Sequence, residues 1–268
     1  MSSKETIKIS IVTICYNSAR TIESTIKSVL SQGYENLDYV IIDGGSTDST
    51  MSIVNKYRDR LSVVVSEKDR GISDAFNKGI SRSTGDVICF MNSDDVMLPG
   101  ALSAVAEAFD GKHDIYSGNV LLEDCVTGFK CREVPSTDFP VVPLFRHVAH
   151  QGMFATPEAY AKFGGYDLNV RYPMDLEFLM RAYRLGATFK RIDYDIACFR
   201  SGGATGTEIY KKKKDYIYIV RKNGGNAFQA YFFYYFLVST QLVKKLLSVL
   251  GANFGQKLRY GALNKKNK

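Results

Sequence analysis

Over its first hundred residues the chain alternates short apolar runs with amphipathic stretches, and each apolar run is closed by polar or acidic residues. Ile7 to Ile14 is apolar and β-branched and reads as a buried strand. Asn17-Ser18 reads as the cap of a helix in which Ile22, Ile26, Val29 and Leu30 recur at helical spacing up to Gly33. Leu37 to Ile42 is the next strand, running into Asp43-Gly44-Gly45-Ser46-Thr47-Asp48, and a helix carrying Ile53, Val54 and Tyr57 follows. Leu61 to Val65 ends at Glu67-Lys68-Asp69-Arg70-Gly71, and Ile72, Ala75, Phe76 and Ile80 form the helix behind it. Val87 to Met91 ends at Asn92-Ser93-Asp94-Asp95, before a new start at Pro99-Gly100. Strands with no polar face are buried on both sides, and strands alternating with helices build a parallel sheet of right-handed βαβ units. The fold class is therefore α/β. Such sheets bind ligands beyond the carboxyl ends of their strands. Four polar strand ends in succession describe one nucleotide-sized rim.

The second half is more mixed. Ala101 to Phe109 reads as helix, Asp114 to Gly128 as a hairpin or meander, and Pro135 to Pro143 as a loop. Pro157 to Phe163 is a short helix closed by Gly164-Gly165, and Met174 to Leu185 an amphipathic one closed by Gly186. Phe189 to Phe199 is extended, and Ser201 to Gly206 reads as a mobile loop.

Charge changes the picture at the C-terminus. Residues 211–268 hold 13 Lys and Arg against one acid, Asp215, so this tail carries +12 and the remaining 210 residues −5 of the net +7. Ala227 to Val243 is apolar and aromatic but is interrupted by Gln229, Ser239, Thr240 and Gln241. Its 17 residues sit at the short end of a membrane span. Helices lying in the headgroup plane of an anionic membrane fit this pattern, as does a helix packed on the body or on a second subunit. A nucleic-acid surface fits it less well, because the aromatics form one block instead of interleaving with the cations. The N-terminus has no apolar signal core, and the five Cys match no zinc spacing, so a reducing cytoplasmic setting is expected.

The acidic cluster carries the first candidate chemistry. Two adjacent carboxylates at the end of an apolar strand repel each other, and a divalent cation relieves the repulsion; hard oxygen ligands suit Mg2+ or Mn2+. The plainer alternative is that Ser93 or Asp94 caps a helix beginning near Pro99.

Five ordered segments then point to a family. They are Ile11-Val12-Thr13-Ile14-Cys15-Tyr16-Asn17, Ile42 to Asp48, Asp69 to Gly79, Gly85-Asp86 leading to Asn92-Ser93-Asp94-Asp95, and Asp175-Leu176-Glu177-Phe178-Leu179-Met180-Arg181. In order and spacing the chain resembles the non-processive bacterial family 2 glycosyltransferases with a GT-A fold, from about Ile7 to Gly206. The resemblance implies a GT-A domain over 1–210, with a nucleotide-binding half at 1–98 and an acceptor and catalytic-base half at 99–210, followed by the helical tail 211–268. It implies that Thr13, Tyr16, Asp43, Gly44 and Ser46 hold the nucleotide base and ribose; alternatively Asp43 and Ser46 shape a turn and cap the next helix. Asp69, Arg70 and Gly71 match a segment beside the diphosphate and sugar. Arg200 and Gly202-Gly203 match a loop that closes over the diphosphate. Asn92, Ser93, Asp94 and Asp95 match the metal motif with Asn in the first acidic place, so Asp94 is the expected ligand for Mn2+ or Mg2+, supported by Asp95. Asp175 matches the catalytic base, with Glu177 as its rival and Arg181 as a structural ion-pair residue. A helix N-terminus favours the ionised form that a base needs. His150-Gln151-Gly152 matches a position near acceptor or diphosphate, a partly buried structural His being the alternative.

The function this implies is inverting transfer of one sugar from a nucleotide-diphosphate donor, a UDP-sugar, to a hydroxyl of a polyprenyl-diphosphate-linked saccharide. The expected place is the inner face of the cytoplasmic membrane, in cell-surface polysaccharide synthesis. The alternative from another class is a catalytically silent, membrane-associated nucleotide-sugar-binding scaffold. A nucleotidyltransferase would need a glycine-rich basic segment near the N-terminus, and Ile9 to Asn17 has none.

Overall fold

The structure is a computed structural model and describes residues 6–124, 130–139, 142, 148–201 and 212–250. The first half is built as its pattern dictates. Strands β1 (Ile9–Cys15), β2 (Leu37–Asp43), β3 (Val63–Ser66) and β4 (Val87–Asn92) are parallel, in the spatial order β3-β2-β1-β4. Helices α1 (Ile22–Leu30), α2 (Thr50–Asn55) and α3 (Ile72–Arg82) make the crossovers. Side chains alternate across a strand, so the sheet separates two cores. Val12, Ile14, Val40, Ile42, Ile88 and Phe90 face α3 on one side. Ile9, Ile11, Tyr39, Ile41, Cys89 and Met91 face α1 on the other. Gly79 seats α3 on the sheet: a Cβ there would lie 2.6 Å from Val12 Cγ1 and 2.9 Å from Phe90 Cε1. Beside it Phe76 stacks on Phe90 with ring centroids 4.2 Å apart, both rings buried. Each ring contributes about 2–3 kcal/mol of burial energy.

The second half extends the same sheet with mixed pairing. After β5 (Val96–Met97) and α4 (Ala101–Ala108) comes β6 (Ile115–Asp124), which pairs antiparallel with β7 (Lys130–Glu133), as the expected hairpin, and parallel with β9 (Phe189–Ser201). The three-residue β8 (Met153–Ala155) joins the halves, antiparallel to both β4 and β6. Helices α5 (Pro157–Phe163) and α6 (Met174–Arg184) complete this half.

The tail is helical, and it is tied to the body. It comprises α7 (Lys213–Lys222) and one continuous helix, α8 (Ala227–Leu250). Asp215 accepts from the backbone N–H of Arg171 (3.1 Å) and Tyr172 (2.8 Å), just before α6. Lys222 pairs with Glu177 at 2.9 Å. Ile219, Val220, Ala230 and Phe233 are buried. No helix among the described residues is long and apolar enough to cross a membrane.

Candidate active site

The Asp-Gly-Gly-Ser loop is organised by Asp43. It is fully buried at the end of β2. Its Oδ2 accepts from the Gly45 amide (3.2 Å), the Ser46 amide (3.0 Å) and the Ser66 hydroxyl (2.6 Å), and its Oδ1 from the Ser46 hydroxyl at 2.5 Å. Both oxygens thus hold the turn together, the turn-shaping role that the sequence offers for Asp43. Ser46 is equally engaged, since its oxygen also accepts from the Asn17 amide at 2.8 Å. Thr13 does not reach the rim: it is fully buried in β1, its hydroxyl 3.0 Å from that of Tyr39. Asn17 does not cap α1, which starts at Ile22 behind Thr21. Its backbone is left-handed (φ 48°) and its side chain accepts from the Thr47 amide at 2.9 Å, pinning the β1 end to the loop. What faces outward is Tyr16, 62% exposed. It lies beside the bare face of Gly44, where a Cβ would sit 3.5 Å from Tyr16 Cδ2 and 2.7 Å from Asp69 Oδ2. Tyr16, Gly44 and Asp69 therefore adjoin at the rim.

Asp69 is held there by Lys78, whose Nζ lies 2.6 Å from it and 2.9 Å from Glu67. Gly71 takes φ 129°, a conformation that favours glycine, and so lets the rim segment turn directly into α3. Arg70 pairs with Asp74 at 2.7 Å, with a largely exposed side chain, and such a pair contributes little to stability.

The acidic end of β4 is constructed differently. Neither Ser93 nor Asp94 caps a helix, because β5 intervenes and α4 begins at Ala101 behind Gly100, in a left-handed conformation at φ 78°. The Ser93 hydroxyl donates to Ser18 Oγ at 2.8 Å. Asp94 is half-buried and Asp95 fully buried. Asp95 Oδ2 accepts from Gln151 Nε2 at 2.8 Å, while Asp95 Oδ1 and Asn92 Oδ1 are buried with no hydrogen-bond partner among the described residues. Burial pushes the Asp94 carboxyl above its ordinary value. Burial pushes Asp95 to about 6, against the Gln151 bond and with the help of the Asp94 charge. Among the described residues no Lys or Arg side chain pairs with either. An acidic pair with an unpartnered buried oxygen fits a hard divalent cation. No third His, Cys, Asp or Glu joins them in a metal cluster among the described residues, so other ligands would be diphosphate oxygens and water.

Asp175 stands in the first turn of α6, 8% exposed. It is not the helix cap, a place held by Pro173. Its Oδ1 accepts from the Leu176 amide at 2.8 Å, and its Oδ2 lies 3.3 Å from His150 Nδ1. His150 Nε2 in turn lies 3.0 Å from Asn92 Nδ2. Asp175 is thereby linked through one imidazole to the acidic end of β4. The rival Glu177 is fully buried and paired with Arg181 and Lys222, each at 2.9 Å. Arg181 also donates to the carbonyls of Phe163 and Gly165, which is the structural role expected of it. Pairing of Val96 with Cys198 brings the end of β9 alongside the acidic cluster; there Arg200 is exposed, 3.9 Å from Glu123. Gly202 and Gly203 lie outside the described residues. Two residues gain weight from the structure. Both stand in the His150-Gln151-Gly152 segment, and the structure gives each a partner: Asp175 and Asn92 for His150, Asp95 for Gln151.

Comparison with known proteins bears on this arrangement. The model of glycosyl transferase family 2 matches residues 10–148. An uncharacterized glycosyltransferase of Mycobacterium tuberculosis, MT1564, is 31% identical over 186 residues, covering 68% of this chain and 70% of the relative. A PGL/p-HBAD biosynthesis glycosyltransferase of Mycobacterium bovis is 27% identical over 211 residues, covering 76% and 81%. Among solved structures, S. aureus TarS 1-349 in complex with UDP-GlcNAc superposes with a TM-score of 0.64 at 17% identity, covering 92% of this chain and 74% of that one. A mannosyltransferase from Pyrobaculum calidifontis in complex with GDP-Man and Mn2+ gives 0.64 at 16%, covering 99% and 82%. In a further TarS 1-349 structure (TM-score 0.62, 21% identity) the chain spans 64% of that chain's length. The structural likenesses carry the fold, which is the expected α/β GT-A architecture, and the sequence match carries the kinship: the chain belongs to glycosyl transferase family 2.

Proposed function

We propose that the protein is an inverting, metal-dependent glycosyltransferase of hexosyl type, moving one sugar from a UDP-sugar to a hydroxyl of a lipid-linked saccharide in cell-surface polysaccharide synthesis. The observation that carries this reading is the link, through His150, between Asp175 and the acidic end of β4. In an inverting displacement the acceptor oxygen attacks the anomeric carbon as the bond to the nucleotide diphosphate breaks. Asp175 takes the acceptor proton. Tyr16 offers an exposed ring for the base, and Asp69 stands beside it for ribose or sugar hydroxyls. Asp94 and Asp95 would hold Mn2+ or Mg2+, which when bound supplies charge neutralisation for the leaving diphosphate. The bound ligands of the two structural neighbours support a nucleotide-sugar donor.

For the acceptor, the support is the tail. Helix α8 turns Phe228, Tyr231, Phe232 and Tyr235 outward, with Lys213 beside the rings of Tyr231, Tyr234 and Tyr235 at 5.4–5.5 Å. Exposed aromatics rimmed by cations suit an anionic membrane surface, and with it a lipid-linked acceptor at the inner face of the cytoplasmic membrane.

The first test is thermal stability against UDP, UDP-sugars and GDP-mannose, with and without Mn2+, since ligands that bind the folded state raise Tm. We expect a rise with UDP-sugars that requires Mn2+. No rise with any nucleotide would remove the donor site. For the membrane, Phe228, Phe232 and Tyr235 replaced by Ser should abolish flotation with vesicles containing phosphatidylglycerol; undiminished flotation would move the contact elsewhere.

A further inference from the structure

His150 touches both the strand end carrying the acidic cluster and the proposed base. It is 8% exposed, with its ring set edge-on to Phe76 at 5.8 Å between centroids. The amide of Asn92 meets its Nε2 at 3.0 Å through Nδ2, an atom that can only donate. Asp175 Oδ2, a carboxylate oxygen that accepts, lies at 3.3 Å from Nδ1 and places the ring proton there; Nε2 is then the acceptor that the Asn92 amide meets. The Leu176 amide holds the other oxygen at 2.8 Å. The carboxylate is gripped on both oxygens, and its rotation is set by a residue outside its own helix.

We propose that His150 is a positioning residue for the transfer reaction: Asp175 and Asn92 together fix its tautomer, and the Nδ1–H so fixed orients the Asp175 carboxylate toward the acceptor hydroxyl. The proposal rests on Asp175 being the base. His150 itself takes and gives no proton. Its neighbour Gln151 holds Asp95, so a two-residue segment sets both the base and the acidic pair.

The chain has three His, so the tautomer is open to measurement. In 15N NMR of histidine-labelled protein, with the His150 signals assigned from His150→Gln, we expect the neutral ring to carry its proton on Nδ1 with Nε2 bare, and loss of that preference in Asp175→Ala. A neutral ring with its proton on Nε2 would overturn the proposal. The kinetic arm follows UDP release from UDP-N-acetylglucosamine with Mn2+. His150→Gln can reach Asn92 but not Asp175, and its kcat should fall about tenfold or more with donor KM little changed, the scale of one hydrogen bond to a charged group. His150→Asn restores a donor at the Nδ1 position and should recover most of the loss. In an Asp175→Asn background His150→Gln should cost nothing further, whereas losses that multiply would make His150 structural only. Near-normal turnover of Asp175→Asn would instead remove the base itself, and this role with it.

Discussion

Two acidic strand ends face the same rim, and they are built to opposite rules. Asp43 closes β2 and Asp95 follows β4, and both are fully buried. Asp43 has every oxygen satisfied by loop amides and hydroxyls. Asp95 has a bond from Gln151, the backbone N–H of Arg200 close by, one buried oxygen without a partner among the described residues, and a carboxyl pushed to about 6. A buried carboxylate is tolerated when its lone pairs are filled, and an unfilled one marks either a cost or a place for a ligand. The comparison separates architecture from site where residue type and topology do not. It also predicts which substitution hurts the fold and which relieves it.

The largest effect should come from Asp43→Ala. Two backbone amides and two hydroxyls would lose their acceptor together, at about 1–3 kcal/mol for each group that stays buried and unsatisfied. A loss of at least ~3 kcal/mol is expected, or roughly 6–12 °C in Tm for a chain of this size. A melting temperature unchanged from the parent protein would show that the loop does not depend on Asp43.

Asp95→Asn should do the reverse, and only at the right pH. The folded-state pKa of Asp95 is raised, so the folded protein binds its proton more tightly than the unfolded chain. Stability therefore falls as pH rises from the unfolded value near 4 through about 6. Removing the charge should stabilise the protein above pH 6.5 by on the order of 1–3 kcal/mol, with Asp94 sharing the shift, and by much less at pH 4.5. For the same reason Mn2+ should stabilise the parent protein more at pH 8 than at pH 5. Thermal melts across that range decide it; equal Tm values for parent and variant at every pH would mean that Asp95 is not charged and strained in the apo protein.

A third acid grades the scale. Asp215 accepts two amides, as Asp43 does, but sits partly exposed where α7 meets the approach to α6. Water can replace it, so Asp215→Ala should cost only ~1–2 kcal/mol. Its larger consequence should be a drop in turnover without a change in UDP affinity, because the segment it anchors leads into Asp175. A fall in UDP affinity instead would place α7 with the donor site.

What could be read from the sequence follows from how local each feature is. The strand-helix alternation of β1 to β4 was legible because buried parallel strands and the helices between them announce themselves in contiguous runs. The rim was legible for the same reason: Tyr16, Asp69, Asp94 and Asp95 stand at the ends of those runs. The strand β8 was not legible. It is three residues long and exists only because β4 and β6 leave a slot for it. Gln151 and the weight of His150 went with it, since their partners lie 56 and 58 residues away. The turn-holding work of Asp43 was hidden for another reason. Its residue type and place at a strand end are those of Asp95, and only the hydrogen-bond count tells them apart. Thr13 sits on the inward side of its strand, which period-2 alternation alone does not assign to rim or core.

The smallest structural change gives the sharpest test of the comparison. The chain contains no Trp, so Tyr16→Trp would install a single reporter at the exposed ring beside Gly44. Tyr16 is 62% exposed, so stability should move by no more than ~0.5 kcal/mol. If the Asp43 loop seats the base, its fluorescence should change on adding UDP, and Mn2+ should tighten the titration. Adding Asp94→Ala to the reporter should abolish the Mn2+ effect while leaving the metal-free titration within about threefold, because the half-buried Asp94 belongs to the acidic end and makes no contact that builds the loop. A reporter silent to UDP would move the base away from Tyr16. A Mn2+ effect that survives in the double variant would move the cation away from Asp94, and the acidic end of β4 would then be a buried cost without a ligand to relieve it.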